Sequence, residues 1–233
     1  MKLPRYFVIG DIHGAFRALE QCFTRAAFNT ERDNLICLGD VCDSWPEVDK
    51  VIERLLGIKN CVLLAGNHDR WALDWFITKD APSVWISQGG DATIKSYEGK
   101  IIPEDHVNFL SKARPYYISD NKLFVHGGII PGMPLEDQSM DIFMWDRSLV
   151  SSAMILQSSG RERNMTGYDE VYVGHTPTLR YGERSPVRAC EIYMMDTGAG
   201  WPDGVLSMME IESKDTYLSD NVSQLYRGVK GRA

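Results

Sequence analysis

Histidine is scarce in this chain, with only five among 233 residues. Cysteine is equally sparse: Cys22, Cys37, Cys42, Cys61 and Cys190 form an odd set without a CxxC pair. That set does not read as a disulfide framework, and Cys37 and Cys61 fall inside apolar runs, where reduced cysteine behaves as a small hydrophobe. No apolar run is long enough to span a bilayer, and the stretch Met1–Tyr6 lacks the apolar core of a signal peptide. Positive charge is in deficit too: 25 Lys and Arg against 32 Asp and Glu leave a formal charge of −7. General affinity for nucleic acid or an anionic membrane needs a concentrated positive field and is disfavoured. An anionic substrate stays open, because metal ions in a site reverse its local potential. Together these absences lead us to expect a soluble, cytoplasmic protein of a reducing compartment.

What is present is ordinary for a globular chain, 44% hydrophobic and 24% charged. The length suits one sizeable domain over residues 1–233, and neither an internal repeat nor a long linker divides it. Short apolar runs recur: Tyr6–Ile9, Leu35–Leu38, Cys61–Leu64, Leu123–Val125 and Val171–Val173. Their β-branched and aromatic content, closed by glycine, reads as buried strands. Between the first three, residues 15–27 and 48–56 carry apolar residues at helical spacing. Trp71–Ile77 is a shorter helical candidate, and Pro103-Glu104-Asp105 reads as a first helical turn. Strand and helix alternate, which implies an α/β sheet with ligands gathered beyond the carboxyl ends of the strands. Residues 132–169 are mixed and polar and read as an insertion forming a cleft wall. Residues 213–233 are polar, end in Arg227, Lys230 and Arg232, and read as a frayed tail.

The apolar runs share a second property. Each leads into a cluster of Asp, Asn or His. Taken singly such motifs are weak, since a lone histidine at a strand end is more often structural. But four of the five histidines, His13, His68, His126 and His175, occupy this position beside or near glycine. Asp11, His13, Asp40, Asn67, His126 and His175 offer imidazole and oxygen donors without thiolate, a set suited to Mn²⁺, Fe²⁺ or Zn²⁺. Six donors exceed what one metal with an open position needs; two metals sharing a carboxylate would use them all. Two-metal sites clamp the attacking and leaving oxygens of an in-line displacement at phosphorus.

The ordered set GDIHG (10–14), GDVCD (39–43), GNHD (66–69), HGG (126–128), GHTP (174–177) and DTGA (196–199) resembles the calcineurin-like metallophosphoesterases. More narrowly it is similar to the phosphoprotein phosphatase branch that holds the phage lambda protein phosphatase and bacterial diadenosine tetraphosphatases. The triplet Trp145-Asp146-Arg147 is particularly like the phage-type enzymes. The resemblance implies an α/β fold of two packed mixed sheets flanked by helices, the metallophosphoesterase αββα sandwich. It implies two divalent ions, Mn²⁺ foremost, with Asp11 and His13 on the first, Asp40 bridging, and Asn67, His126 and His175 on the second. His68 would be the general acid that protonates the leaving oxygen, oriented by Asp43, and a metal-bridging hydroxide would attack.

Three departures from the family pattern bear on substrate binding. The usual GDxVDRG carries a phosphate-gripping arginine, but here Asp43 is followed by Ser44-Trp45. GNHE has become GNHD, with Asp69 one methylene shorter. The phage enzyme's arginine just before GNH is Ala65. Arg147 matches a phosphate-contacting arginine, and Arg70 is a nearby basic residue that would compensate for the missing one. The expected activity is hydrolysis of a phosphomonoester, on a phosphoserine or phosphothreonine protein or a generic ester, without a phosphoenzyme. The alternative is hydrolysis of a dinucleoside polyphosphate or phosphodiester, since a diester presents less charge to grip. A third reading, a catalytically weak metal-binding scaffold, would need neither His68 nor Asp43. Trp45, Trp71 and Trp75 are expected in the core rather than the cleft. His106 is expected to be exposed and without function, and Cys42 to be at risk of oxidation beside the metals.

Overall fold

The computed structural model describes residues 4–229 and 231. Met1–Leu3 at the start, and Lys230, Arg232 and Ala233 of the expected tail, lie outside the described residues. The strands are β1 (Tyr6–Ile9), β2 (Asn34–Cys37), β3 (Asn60–Leu63), β4 (Tyr116–Ser119) and β5 (Lys122–Val125), then β6 (Glu170–Val173), β7 (Val187–Ala189), β8 (Ile192–Met194), β9 (Ser207–Glu210) and β10 (Thr216–Leu218). They form two five-stranded sheets, β10-β9-β1-β2-β3 and β4-β5-β6-β8-β7. In each sheet three neighbouring strands pair parallel, β1, β2 and β3 or β5, β6 and β8; antiparallel pairing adds β9 and β10 on one side of the first sheet and β4 and β7 at the two edges of the second. Both sheets are therefore mixed, as expected.

Side-chain alternation explains why the central runs are apolar throughout. Val8, Ile36 and Leu38 point toward the second sheet and meet Phe124, Tyr172 and Tyr193 there. Their neighbours Phe7, Ile9, Leu35 and Cys37 point the other way, onto the helices. A strand buried on both faces has no polar side, so the period of two disappears from its sequence. Phe124, Tyr172 and Tyr193 lie in register across β5, β6 and β8 and stack with centroids 4.9 Å apart at each step.

The helices are α1 (Phe16–Arg25), α2 (Val48–Leu56), α3 (Asn67–Thr78), α4 (Ser83–Trp85), α5 (Asp91–Ser96), α6 (Glu104–Ser111), α7 (Met140–Trp145), α8 (Ser148–Ser158) and α9 (Val222–Leu225). α1 and α2 bury the expected stripes, Leu19 and Phe23 on one, Val48, Val51, Ile52 and Leu55 on the other. α3 starts four residues earlier than its apolar pattern indicates, because Gly66 caps it and the Asp40 carboxylate accepts the His68 N–H at 2.9 Å. Pro103 stands just outside α6 with extended backbone rather than inside the first turn.

Two expectations are corrected. His106 is buried on α6; its Nδ1 lies 2.7 Å from the Tyr97 hydroxyl and its Nε2 3.2 Å from Glu53. Residues 213–229 of the expected tail are packed rather than frayed, since β10 completes the first sheet and Tyr226 is buried against Trp45, rings 5.1 Å apart. The Trp45 indole donates to the Ala199 carbonyl at 2.7 Å, and Arg17 lies 4.6 Å from the Tyr226 ring centroid. A few aromatic contacts outweigh an otherwise polar composition there.

Candidate active site

Six strands of the two sheets, β1, β2, β3, β5, β6 and β8, lead at their carboxyl ends into the segments that carry the site. β1 delivers Asp11 and His13, β2 delivers Asp40 and Asp43, and β3 leads to Asn67 and His68 in the first turn of α3. β5 delivers His126, β6 delivers His175 and β8 delivers Asp196. All nine are buried, and several form the floor of a cleft of about 730 Å³. The backbone is unusual where these side chains turn inward. His13, Asp40, Asp43, Ser44 and His175 all have positive φ, between 50° and 75°, a region disfavoured for residues with a Cβ and concentrated at functional sites. Space is equally tight: a Cβ on Gly66 would fall 2.2 Å from Asp40 Oδ1, which explains why GNH opens with glycine.

The hydrogen bonds assign the ring protons. His13 Nδ1 lies 3.0 Å from the Cys42 carbonyl and His126 Nδ1 lies 2.8 Å from the Leu38 carbonyl. A carbonyl only accepts, so Nδ1 carries the proton in both rings and Nε2 turns to Asp40, 3.9 Å away for His13 and 3.4 Å for His126. Asn67 Oδ1 is 3.1 Å from His126 Nε2. The Asp11 carboxylate accepts the His175 N–H at 3.1 and 3.2 Å, and His175 Nε2 is buried without a hydrogen-bond partner among the described residues.

Two groups of donors share Asp40. His13, Asp40 and His68 form one, and Asp40, His126 and His175 the other, with donor atoms in each within 4.8 Å of one another. A buried, partnerless imidazole nitrogen beside a shared carboxylate suits a divalent cation, since a buried polar atom otherwise loses its hydrogen bond with water. Asn67 adjoins the second group. Asp11 shares the floor but falls outside both groups, and His68, expected to stand apart, falls inside the first.

The electrostatics agree with a cation site. Burial opposes ionisation of Asp40, but His126, His68 and His13 hold its carboxyl well below the usual range. Burial likewise opposes charging His126, yet Asp40 raises its pKa to about 10. Burial depresses His175 to about 2, helped by His126 and Arg147. One histidine thus competes for a proton where a cation would sit, and the other keeps its lone pair open at neutral pH. Burial also raises Asp69 to about 7 and Asp196 to about 6. Asp69 holds the GDVCD loop by accepting the Val41 and Cys42 N–H groups at 2.8 and 3.1 Å, so the shorter acid still supports that loop. Cys42 is fully buried, and burial pushes its thiol well above the ordinary value, which argues against ready oxidation.

His68 is gripped by a second network. Its Nδ1 lies 2.6 Å from Asp43 Oδ2. Asp43 also accepts the Trp85 indole N–H at 2.8 Å and the Thr93 hydroxyl at 2.6 Å, and its own N–H donates to Thr93 Oγ1 at 2.9 Å. Thr93 and Trp85 were not legible as site residues. Removing the hydroxyl by Thr93→Val should cost about 1.5–3 kcal/mol, as expected for a buried hydrogen bond to a charged group, and lower kcat while KM holds. Thermal melts and steady-state kinetics test this; wild-type kcat in a destabilised variant would separate Asp43 orientation from turnover.

The arginines divide. Arg147 lines the cleft, half-buried, on a turn capped by Asp146, whose Oδ2 accepts the Leu149 N–H at 3.0 Å. A Cβ on Gly128 would fall 2.6 Å from Asp146 Oδ2, so the glycines after His126 make room for the Trp-Asp-Arg turn. Arg70 is not in the cleft: its position on α3 turns it outward, with the side chain 63% exposed and 3.2 Å from Asp74. Ser44 is buried, donates its N–H to the Gly89 carbonyl at 2.9 Å and is not among the cleft-lining residues. Trp45 is core as expected, and Trp71 and Trp75 are half-buried outside the cleft lining, which takes Trp145 and Trp201 instead.

This arrangement, two sheets delivering acids and histidines from their strand ends to one cleft, defines a metal-dependent phosphoesterase. Residues 4–198 match the calcineurin-like phosphoesterase family, and the chain belongs to it. Serine/threonine-protein phosphatase 1 of Salmonella typhimurium is 24% identical over 215 residues, covering 88% of this chain and 91% of that protein. A symmetrical bis(5'-nucleosyl)-tetraphosphatase of Erwinia tasmaniensis is 30% identical over 132 residues, covering 54% of this chain and 44% of that protein. The crystal structure of a proposed diadenosine tetraphosphatase superposes with a TM-score of 0.67 at 19% identity, covering 92% of each chain.

Proposed function

We propose that this phosphoesterase is a dinuclear phosphatase acting on phosphomonoesters, with His68 as proton donor to the leaving oxygen. One observation carries the reading: two donor groups share Asp40, and the 2.6 Å His68–Asp43 contact lies at the same cleft. Asp11, His13 and Asp40 would hold one ion, and Asp40, Asn67, His126 and His175 the other. Two bound cations, Mn²⁺ foremost and Fe²⁺ or Zn²⁺ as alternatives, would supply Lewis acidity and a nucleophile available at neutral pH. Asp43 fixes the His68 tautomer and supports the imidazolium that donates the proton. Arg147 engages the phosphate, and residues 132–169, which carry Trp145 and Arg147, wall the cleft of a single domain. A binding scaffold would need no such oriented histidine. The free cysteines fit a reducing, cytoplasmic setting, and among the described residues no helix is long and apolar enough to cross a membrane.

The second reading, a dinucleoside polyphosphate hydrolase, is favoured by Ser44 standing where the clamp arginine would be and by Trp145 and Trp201 on the cleft wall. Mn²⁺-loaded protein assayed on p-nitrophenyl phosphate, a phosphoserine peptide, bis-p-nitrophenyl phosphate and a dinucleoside tetraphosphate decides between them. Monoesters should show the highest kcat/KM. A tenfold preference for a dinucleoside tetraphosphate or diester would install the second reading, and turnover of none would sink both.

A further inference from the structure

We propose that Arg180 forms a distal anion-binding position at the mouth of the cleft, which engages a further phosphate or other anionic group on substrates that carry one beyond the scissile ester. The inference rests on the phosphoesterase reading above and adds a contact beyond the scissile phosphate.

The cleft is graded in depth. Asp11, Asp40, Asp196 and the histidines are buried, Arg147 is half-buried, and Arg180, Pro202 and Asp203 are exposed. Arg147 and Arg180 are its only lysine or arginine residues among the described ones, so with Ser44 turned into the protein these two are the side chains of fixed positive charge that join the proposed metal ions in meeting phosphate charge. Arg147 is half-buried and lines the same cleft as His175. Arg180 lies five residues beyond His175, on the short 3₁₀ turn Thr178–Tyr181.

That turn is built rigidly. The Thr178 N–H donates to the Asp196 carbonyl at 2.8 Å, and its hydroxyl donates to the Glu183 carbonyl at 3.0 Å. Gly182 closes it at φ 81°, and a Cβ on Gly198 would meet Leu179 Cδ1 at 2.3 Å. The base of Arg180 is thus tied to the segments that carry His175 and Asp196, while no hydrogen bond or ion pair occupies its guanidinium among the described residues. Asp203 shares the mouth but makes no ion pair with it there. Pro177, Leu179 and Pro202 also line the cleft, and their side chains carry no hydrogen-bonding group. A chain of phosphates needs only its charges met, and a guanidinium fork meets them well.

The test measures calorimetric dissociation constants of the Mn²⁺-loaded protein for orthophosphate and inorganic tripolyphosphate, with free Mn²⁺ held constant. Arg180→Gln should raise the ratio of the tripolyphosphate to the orthophosphate constant about tenfold, comparable to one lost charge-assisted hydrogen bond. Arg180→Lys, which keeps the charge without the fork, should restore part of the ratio. An unchanged ratio, whether both constants move together or neither moves, overturns the proposal. Turnover of p-nitrophenyl phosphate by the wild type is measured alongside, so failure of the phosphoesterase reading shows separately from failure of the Arg180 assignment.

Discussion

His68→Ala should lower kcat by about 10²–10⁴, the usual contribution of a positioned general acid, while leaving the bound metal in place. The loss should depend on the leaving group. Phenyl phosphate, which needs its oxygen protonated, should lose most, and p-nitrophenyl phosphate, whose leaving group departs as a stable anion, should lose least. The geometry makes this a real test, because His68 lies within the donor group of His13 and Asp40, where it is also able to ligate. If the variant loses a metal ion and the loss in rate is the same for both esters, His68 is a ligand and the proton comes from elsewhere. The Asp43 contact alone does not decide, since ligating histidines also donate their second nitrogen to carboxylates.

Asp40→Asn should abolish detectable turnover and weaken both metal positions by at least about 10–100-fold, more than losing an outer hydrogen-bonding partner. The change is nearly isosteric, and an amide oxygen still accepts the His68 N–H that begins α3, so circular dichroism should show a folded protein. A second consequence follows from His126. Asp40 holds the His126 pKa up at about 10 against burial, so at neutral pH a metal ion must displace a proton from that ring. In the wild type, affinity at this position should therefore rise with pH up to about 10. In Asp40→Asn the largest upward influence is gone, the His126 pKa should fall, and the pH dependence should flatten. Metal titrations at pH 6 and 8 read both effects; an unchanged slope in the variant would remove Asp40 from the account of His126.

The strand-end candidate ligands were legible because a parallel sheet buried on both faces writes its strands as unbroken apolar runs, and the polar residues that interrupt them stand out. Long-range partners left no such mark. Thr93 and Trp85 reach Asp43 from residues 42–50 positions away, in a stretch where α4 and α5 are joined by an irregular turn at Gly89 with φ 101°. Arg70 is close to the site in sequence, but on α3 its side chain is exposed beside Asp74 and outside the cleft lining. His106 and Tyr226 were misjudged on polar surroundings, because burial is decided by which partner arrives from elsewhere in the chain: Tyr97 for one, Trp45 for the other. Asp196 was visible as part of a motif, yet its place on the floor depends on β8 lying beside β6.

Metal stripping and readdition tests the dinuclear site most directly. Protein treated with chelator should have no turnover of p-nitrophenyl phosphate, and stepwise return of Mn²⁺ should restore it to a plateau at two bound ions per chain. A plateau at one ion, or turnover that survives complete removal of metal, would contradict the sharing of Asp40 between two cations.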